Sequence, residues 1–255
     1  MKVALIQTSL FWEKPEENRV HFENIIDSIA ESVDIIVLPE MFTTGFTMNP
    51  YDIAESMEGS TVAWLKSTAI RKCSAITGSI IIKENGSYFN RLLFVLPSGK
   101  VEIYDKRHLF ALAGENNVYT AGKSKLIVNY KGFKICPLIC YDLRFPVFSR
   151  NIENYDLLLY VANWPTVRIS AWDALLKARA IENQCFVIGL NRLGQDHNNH
   201  QYNGHSQSID LLGNYLLEPT EEAGYFIVDL DKNELLLSRQ KLDFLSDRDS
   251  FSLLE

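Results

Sequence analysis

The segment DIIVLPE at 34–40 runs from an aspartate to a glutamate with no polar residue between them. Similar runs recur in FKICPLIC (133–140), DLLLYVAN (156–163) and CFVIGLN (185–191). A strand with one face in water alternates apolar and polar residues, whereas a near-continuous apolar run needs cover on both faces. The sequence supplies that cover. Residues 16–31 place Val20, Phe22, Ile25, Ile26 and Ile29 at mainly helical spacing, and Ser60 to Cys73 sets Val62, Leu65 and Ala69 on one side. A further helix is predicted from Ser170 to Gln184. Buried strands alternating with amphipathic helices make a layered α/β fold.

Other strands are hairpin-like. Residues 75–83 and 87–96 flank Glu84-Asn85-Gly86, and Pro97-Ser98-Gly99 turns the chain into VEIYD at 101–105. With a short strand at 2–8 and two or three more between Ser206 and Asp231, the expectation is ten to twelve strands and four or five helices, in mixed sheets. That is too much strand for one open sheet, so two sheets packed face to face and covered by helices are expected. Hydrophobic residues are 47% of the 255, enough to offset chain entropy and exclude disorder. No linker, low-complexity segment, repeat or shift in composition divides the chain, so a single domain over 1–255 is expected.

Lys and Arg number 25 against 32 Asp and Glu, a net charge of −7. That balance argues against nucleic acid as partner, because phosphate binding needs a basic face. The four cysteines, at 73, 136, 140 and 185, form no CxxC pair and read as thiols in a reducing compartment. The opening apolar run is too short for a signal sequence, and no stretch of about 18 apolar residues suggests a membrane span. The expectation is a soluble cytoplasmic protein with no membrane partner.

In α/β sheets, ligands sit beyond the carboxyl ends of the strands. Three reactive side chains fall there: Glu40 after IIVLP, Lys106 after VEIYD, and Cys140 at the end of FKICPLIC. Singly each has a bland reading, a first solvated charge or a small packed thiol. Together they supply what acyl transfer needs without histidine: a nucleophile, a base for its proton, and a cation for the thiolate and the developing oxyanion.

The stretches around these residues resemble the successive signatures of the nitrilase superfamily, carbon–nitrogen hydrolases with a Glu-Lys-Cys triad. They are LPEMFTTGF (38–46), YDKRHLF (104–110), GEN (114–116) and LICYDLRFP (138–146). NWP (163–165) and ARAIENQCFVIGLNRLG (178–194) resemble later segments of the family, so the likeness covers nearly the whole chain. The resemblance implies a four-layer αββα sandwich with two mixed sheets, paired as a homodimer, with the C-terminal tail from about 232 in the dimer interface. It makes Glu40 the general base, Lys106 the oxyanion-stabilising cation, Cys140 the nucleophile, Glu115 a second glutamate near the lysine, and the Tyr141 backbone N–H an oxyanion donor. It implies a thioester intermediate and no metal or organic cofactor.

CYDLRFPVFSRN with MFTTGF looks most like the ω-amidases, which take the terminal amide of 2-oxoglutaramate or 2-oxosuccinamate. Such small-molecule substrates are anions, so a cation must hold the carboxylate. Arg144 and Arg168 are the candidates, against a structural ion pair or, for Arg168, a plain surface charge. Phe46 and Trp164 are candidates to wall an apolar slot, or core aromatics. The alternatives are an aliphatic-amide or carbamoyl-amide hydrolase of the same superfamily, or a non-catalytic scaffold.

His197, His200 and His205 sit in GQDHNNHQYNGHS, a polar loop rather than a helix face that would space metal ligands, and read as solvated. His108 reads as structural, and Cys73, Cys136 and Cys185 as core thiols.

Overall fold

A computed structural model describes residues 1–253. In chain order the strands are β1 (Lys2–Gln7), β2 (Ile35–Val37), β3 (Ala75–Glu84), β4 (Ser87–Val95), β5 (Val101–Asp105), β6 (Val128–Tyr130) and β7 (Phe133–Ile139), then β8 (Leu157–Ala162), β9 (Phe186–Asn191), β10 (Leu193–Gln195), β11 (Gln201–Asn203), β12 (Ser206–Ile209), β13 (Tyr215–Thr220) and β14 (Gly224–Asp229). The helices are α1 (Pro15–Ser28), α2 (Ser60–Lys72), the single turn α3 (Pro146–Ser149), α4 (Ile169–Asn183) and α5 (Lys232–Lys241). The strands form two six-stranded sheets, β14-β1-β2-β3-β4-β5 and β13-β12-β9-β8-β7-β6, and a small β10–β11 ribbon.

Each sheet is mixed. Three parallel strands, β1-β2-β3 in one and β7-β8-β9 in the other, are flanked by antiparallel ones. The continuous apolar runs are these parallel strands, and their two faces go to different partners. Val3, Leu5, Ile35 and Val37 cluster with Ile135, Leu157 and Leu159 of the opposite sheet. Ala4, Ile6 and Ile36 cluster with Phe22 and Ile26 of α1 and Val62 and Leu65 of α2. The outer face of the second sheet is covered by Trp172, Leu176 and Ala180 of α4. This helix sits so close to β9 that a Cβ at Gly189 would lie 2.7 Å from Trp172. The order of layers is helix, sheet, sheet, helix, as expected.

The strand count exceeds expectation because β6, β10 and β11 are three-residue pieces, below the length at which periodicity speaks. The β3–β4 hairpin turns where the sequence signals it: Asn85 and Gly86 both have positive φ (50° and 79°), matching a turn that follows the strand twist. Residues 231–245 fold onto the rest of the chain. Asp231 caps α5 by accepting from the Asn233 and Glu234 N–H groups, Leu235 and Leu245 are buried, and Arg239 bonds Asp156 and the carbonyls of Tyr155 and Gln184. Among the described residues no helix is long and apolar enough to cross a membrane.

Candidate active site

β3 is parallel to β2, and β5 shares that direction because β4 is antiparallel to both neighbours. The carboxyl ends of β2 and β5 in one sheet therefore meet those of β7 and β8 in the other. Glu40 follows β2, Lys106 follows β5, Cys140 follows β7 and Asn163 follows β8.

The chain bends sharply at two of these ends. Met41, next to Glu40, has φ +42°, and Cys140 itself has φ +43°. Left-handed backbone at a residue with a side chain is strained by roughly 1–3 kcal/mol and is held only where the surroundings over-determine it. At Cys140 the surroundings are built on Asp142, which is fully buried. Its Oδ2 accepts from Ile139 N–H (3.0 Å) and Tyr104 O–H (2.7 Å). Its Oδ1 accepts from His108 N–H (3.1 Å) and lies 2.7 Å from His108 Nδ1. One carboxylate thus ties the cysteine turn to the segment carrying Lys106. His108 also stacks on Phe145 at 3.7 Å between ring centroids, so its role is structural, as expected.

Glu40, Lys106 and Glu115 are buried together. Lys106 Nζ donates to Glu40 Oε1 (2.9 Å) and to both oxygens of Glu115 (3.0 and 2.9 Å). Glu115 is further fixed by Phe110 N–H, and Glu40 Oε2 accepts from Asn163 N–H (2.9 Å). Asn90, on β4, donates through Nδ2 to Glu40 Oε1 (2.9 Å) and Glu115 Oε1 (3.3 Å). The Cys140 thiol lies 3.9 Å from the Asn163 carbonyl oxygen.

Desolvation pulls the Lys106 ammonium down, but Glu115 and Glu40 outweigh it and raise its pKa, so it is a permanent cation. Burial raises the Glu115 carboxyl, against Lys106. Burial also pushes the Cys140 thiol well above its ordinary range, with Glu40 acting in the same direction and Lys106 against it. The sequence-based idea that Lys106 favours a thiolate has the right sign for that one contribution, yet the sum runs the other way. The resting group is a neutral thiol.

Glu40, Lys106, Cys140 and Asn163 line one pocket of about 100 Å³, with Glu115 and Asn90 bonded to them from outside its lining. Phe46 and Trp164 are in its wall, as are Phe110, Tyr141 and Pro165. Trp164 is also core: it is 3% exposed and its indole N–H donates to the Arg168 carbonyl (2.8 Å). The Lys106 ammonium lies 5.1 Å from the Phe46 ring centre. Arg144 and Arg168 line the same pocket, stacked over Trp164 (4.9 Å) and Phe110 (5.3 Å). Among the described residues neither has a carboxylate partner within 4.0 Å, so neither belongs to a structural ion pair.

The histidine loop gives a partial correction. His197 stacks on Trp12 and His205 bonds Asp173, so the three histidines do not converge, and no group of three or more metal-ligating side chains occurs among the described residues. His200 is exposed as expected, but the β10–β11 ribbon hangs over the site and brings Asp196, Asn198, His200 and Tyr202 into the pocket wall. Asp196 organises this ribbon, accepting from the N–H groups of Asn198 and His200 and from Tyr202 O–H. Cys136 and Cys185 are buried as expected, whereas Cys73 is exposed and is no core thiol, because it forms the left-handed C-cap of α2 (φ +52°).

The carbon-nitrogen hydrolase family model matches residues 2–240. The chain belongs to that family. It is 44% identical to an ω-amidase, YafV, of Yersinia enterocolitica, over 100% of this chain and 99% of that one. A 2-oxoglutaramate amidase of Bacillus subtilis is 33% identical, over 96% of both chains. Among solved structures, a CN-hydrolase superfamily protein of Xanthomonas campestris superposes with a TM-score of 0.97 at 42% identity, covering 100% of this chain and 99% of that one. That structure carries an arsenic adduct in its active site.

Proposed function

We propose that this carbon–nitrogen hydrolase cleaves the terminal amide of a small amide bearing a carboxylate at its far end, of the 2-oxoglutaramate or 2-oxosuccinamate type, releasing ammonia. The observation that carries this reading is one pocket lined by Glu40, Lys106 and Cys140 together with two arginines that, among the described residues, have no carboxylate partner. The names of the aligned relatives, ω-amidase and 2-oxoglutaramate amidase, support it.

In this reading the Cys140 sulfur attacks the amide carbon while Glu40 takes the thiol proton, a general-base contribution of about 10²–10⁴ in rate. The oxyanion is held by the Lys106 ammonium and the Tyr141 N–H, each donor being worth about 3–4 kcal/mol of barrier. Glu40 returns the proton to the leaving nitrogen, the C–N bond breaks, and ammonia departs from a Cys140 thioester. Water then gives a proton to Glu40 and attacks the thioester; the acid leaves and Cys140 regains its proton. Glu115 holds Lys106 in place. Phe46 and Trp164 flank the short carbon chain, and Arg144 and Arg168 receive the carboxylate.

The test is ammonia release from two amides of equal length, one ending in a carboxylate and one neutral. The anion is expected to have the higher kcat/KM; equal values would replace this reading with a broad aliphatic amidase. The working form in this reading is a cytoplasmic homodimer. Four unpaired cysteines suit a reducing compartment, and exposed Leu236, Leu237 and Phe244 suit a tail seated in an interface. Light scattering on the purified protein checks the dimer.

A further inference from the structure

Asn90 is a polar residue in the middle of a long strand, fully buried, with both neighbouring functional groups anionic. Its Nδ2 donates to Oε1 of Glu40 at 2.9 Å and to Oε1 of Glu115 at 3.3 Å. Its backbone carbonyl accepts from Lys106 N–H at 3.0 Å. The side-chain amide thus joins the two carboxylates, while the Asn90 backbone holds the backbone of Lys106. Its orientation is forced: a flipped amide would aim its carbonyl at two carboxylate oxygens. The other end, Oδ1, is buried and has no partner among the described residues.

We propose that Asn90 is a positioning residue that keeps Glu40 in its proton-accepting state, by donating to both glutamates at once without adding a charge of its own. The inference rests on Glu40 being the base. A hydrogen bond donated to a carboxylate favours the ionised form, and its loss favours the protonated one. A second cation in this position would do the same but would also blunt the basicity that proton abstraction needs. A neutral amide holds the geometry and leaves Lys106, among the described residues, as the only charge compensating the pair. The titratable groups facing Glu40 are Lys106, Glu115 and Cys140, with Tyr119 beyond them. Lys106 stays charged, so the acid side of the rate profile reports the two carboxylates.

The experiment is single-turnover acylation against pH in wild type, Asn90→Leu, Asn90→Ala and Glu40→Gln. Loss of a base on protonation makes the rate fall as pH drops. Removing the donor raises the carboxylate pKa, so the acid limb should move to higher pH by about one unit. The alkaline plateau should fall less than about ten-fold, and KM should stay nearly constant. A rate lowered equally at every pH, with the limb unmoved, would mean Asn90 only supports the strand and would overturn the inference. Should neither Asn90 variant fold, the side-chain amide nitrogen of Asn90 in wild type, followed by NMR, should titrate with the kinetic limb; a flat signal overturns the inference equally. Glu40→Gln separates the two levels of argument. A limb that persists there removes Glu40 as the base, whereas a limb that vanishes there yet ignores Asn90 leaves the base in place and removes only Asn90.

Discussion

Replacing Lys106 by methionine should make the contribution of the buried cluster to stability more sensitive to pH. Among the described residues, Lys106 is the only cation within 4.0 Å of Glu40 or Glu115, and it reaches them through three hydrogen bonds of 2.9–3.0 Å. Methionine keeps the length of the stem and removes the charge. Breaking a buried ion pair by deleting one partner costs about 3–5 kcal/mol, because the other charge is left uncompensated. A carboxylate can escape that cost by taking up a proton. Burial already raises Glu115 with Lys106 opposing it, so without Lys106 its folded-state pKa rises further. A folded pKa above the unfolded value of about 4.3 means the protonated variant is relatively stable below that value and loses stability as pH rises. Each extra proton held by the folded variant is worth about 1.4 kcal/mol per pH unit. The stability gap to wild type should therefore be small near pH 5, widen by roughly 3 kcal/mol by about pH 7.5, and level off once the full cost of the bare charge is reached. Urea unfolding of both proteins at a series of pH values measures it. A gap that is constant across that range, or one under about 1 kcal/mol at pH 8, would refute the reasoning.

Cys140→Ala should abolish ammonia release and keep the fold, since the lost sulfur sits at a strand end against an open pocket; retention of a tenth of wild-type turnover would remove Cys140 as nucleophile. Arg144→Met or Arg168→Met should erase the preference for an anionic amide, about ten- to a hundred-fold in kcat/KM, while sparing the neutral one; if both variants keep the preference, the carboxylate is bound elsewhere. Asp142→Ala should destabilise the protein by about 3–5 kcal/mol by stranding buried donors from Ile139, Tyr104 and His108, and a loss below about 1 kcal/mol in chemical denaturation would show that the cysteine turn holds itself.

The layers were legible because two-sided burial writes itself into composition: Ile35, Ile36 and Val37 alternate between two cores and are all apolar. Glu40 and Cys140 could be singled out because each closes such a run, and Lys106 because it follows the hairpin strand VEIYD; the structure brings the three side chains to one pocket. What escaped has a physical reason too. Asn90 and Asn163 act through orientation rather than charge, and nothing in a strand written SYFNRLLFV marks an asparagine as the partner of glutamates fifty residues before and twenty-five after it. Asp142 stands within CYDLR, but of its four bonds only the one from Ile139 is local; the other three come from Tyr104 and His108, which only tertiary structure brings to it. The β10–β11 ribbon was read as a solvated loop, which its composition warrants; that it overhangs the pocket follows from the placement of β9 and β12, not from its own residues. The cap of α5, Asp231 with Glu234 three residues on, was a readable helix start in a stretch treated only as a tail.

A protonated nucleophile at the centre of this site is an advantage on the proposed mechanism. A resting thiolate would add a negative charge to a buried group already holding two carboxylates against one ammonium. With a neutral thiol, attack moves a proton from Cys140 to Glu40 as negative charge moves to the substrate oxygen, and the total charge of the buried cluster does not change. Glu40 Oε1 shares Lys106 at rest, and protonation weakens that claim at the moment the oxyanion needs the same ammonium. The stabilisation is therefore stronger in the transition state than in the ground state, which is the only kind that accelerates the step. The same accounting fixes where a substrate carboxylate can go. Beside Glu40 and Glu115 it would be repelled at short range in a water-poor site, so it must point away from them. On the proposed mechanism Arg144 and Arg168, which line the pocket and have no carboxylate partner among the described residues, receive it.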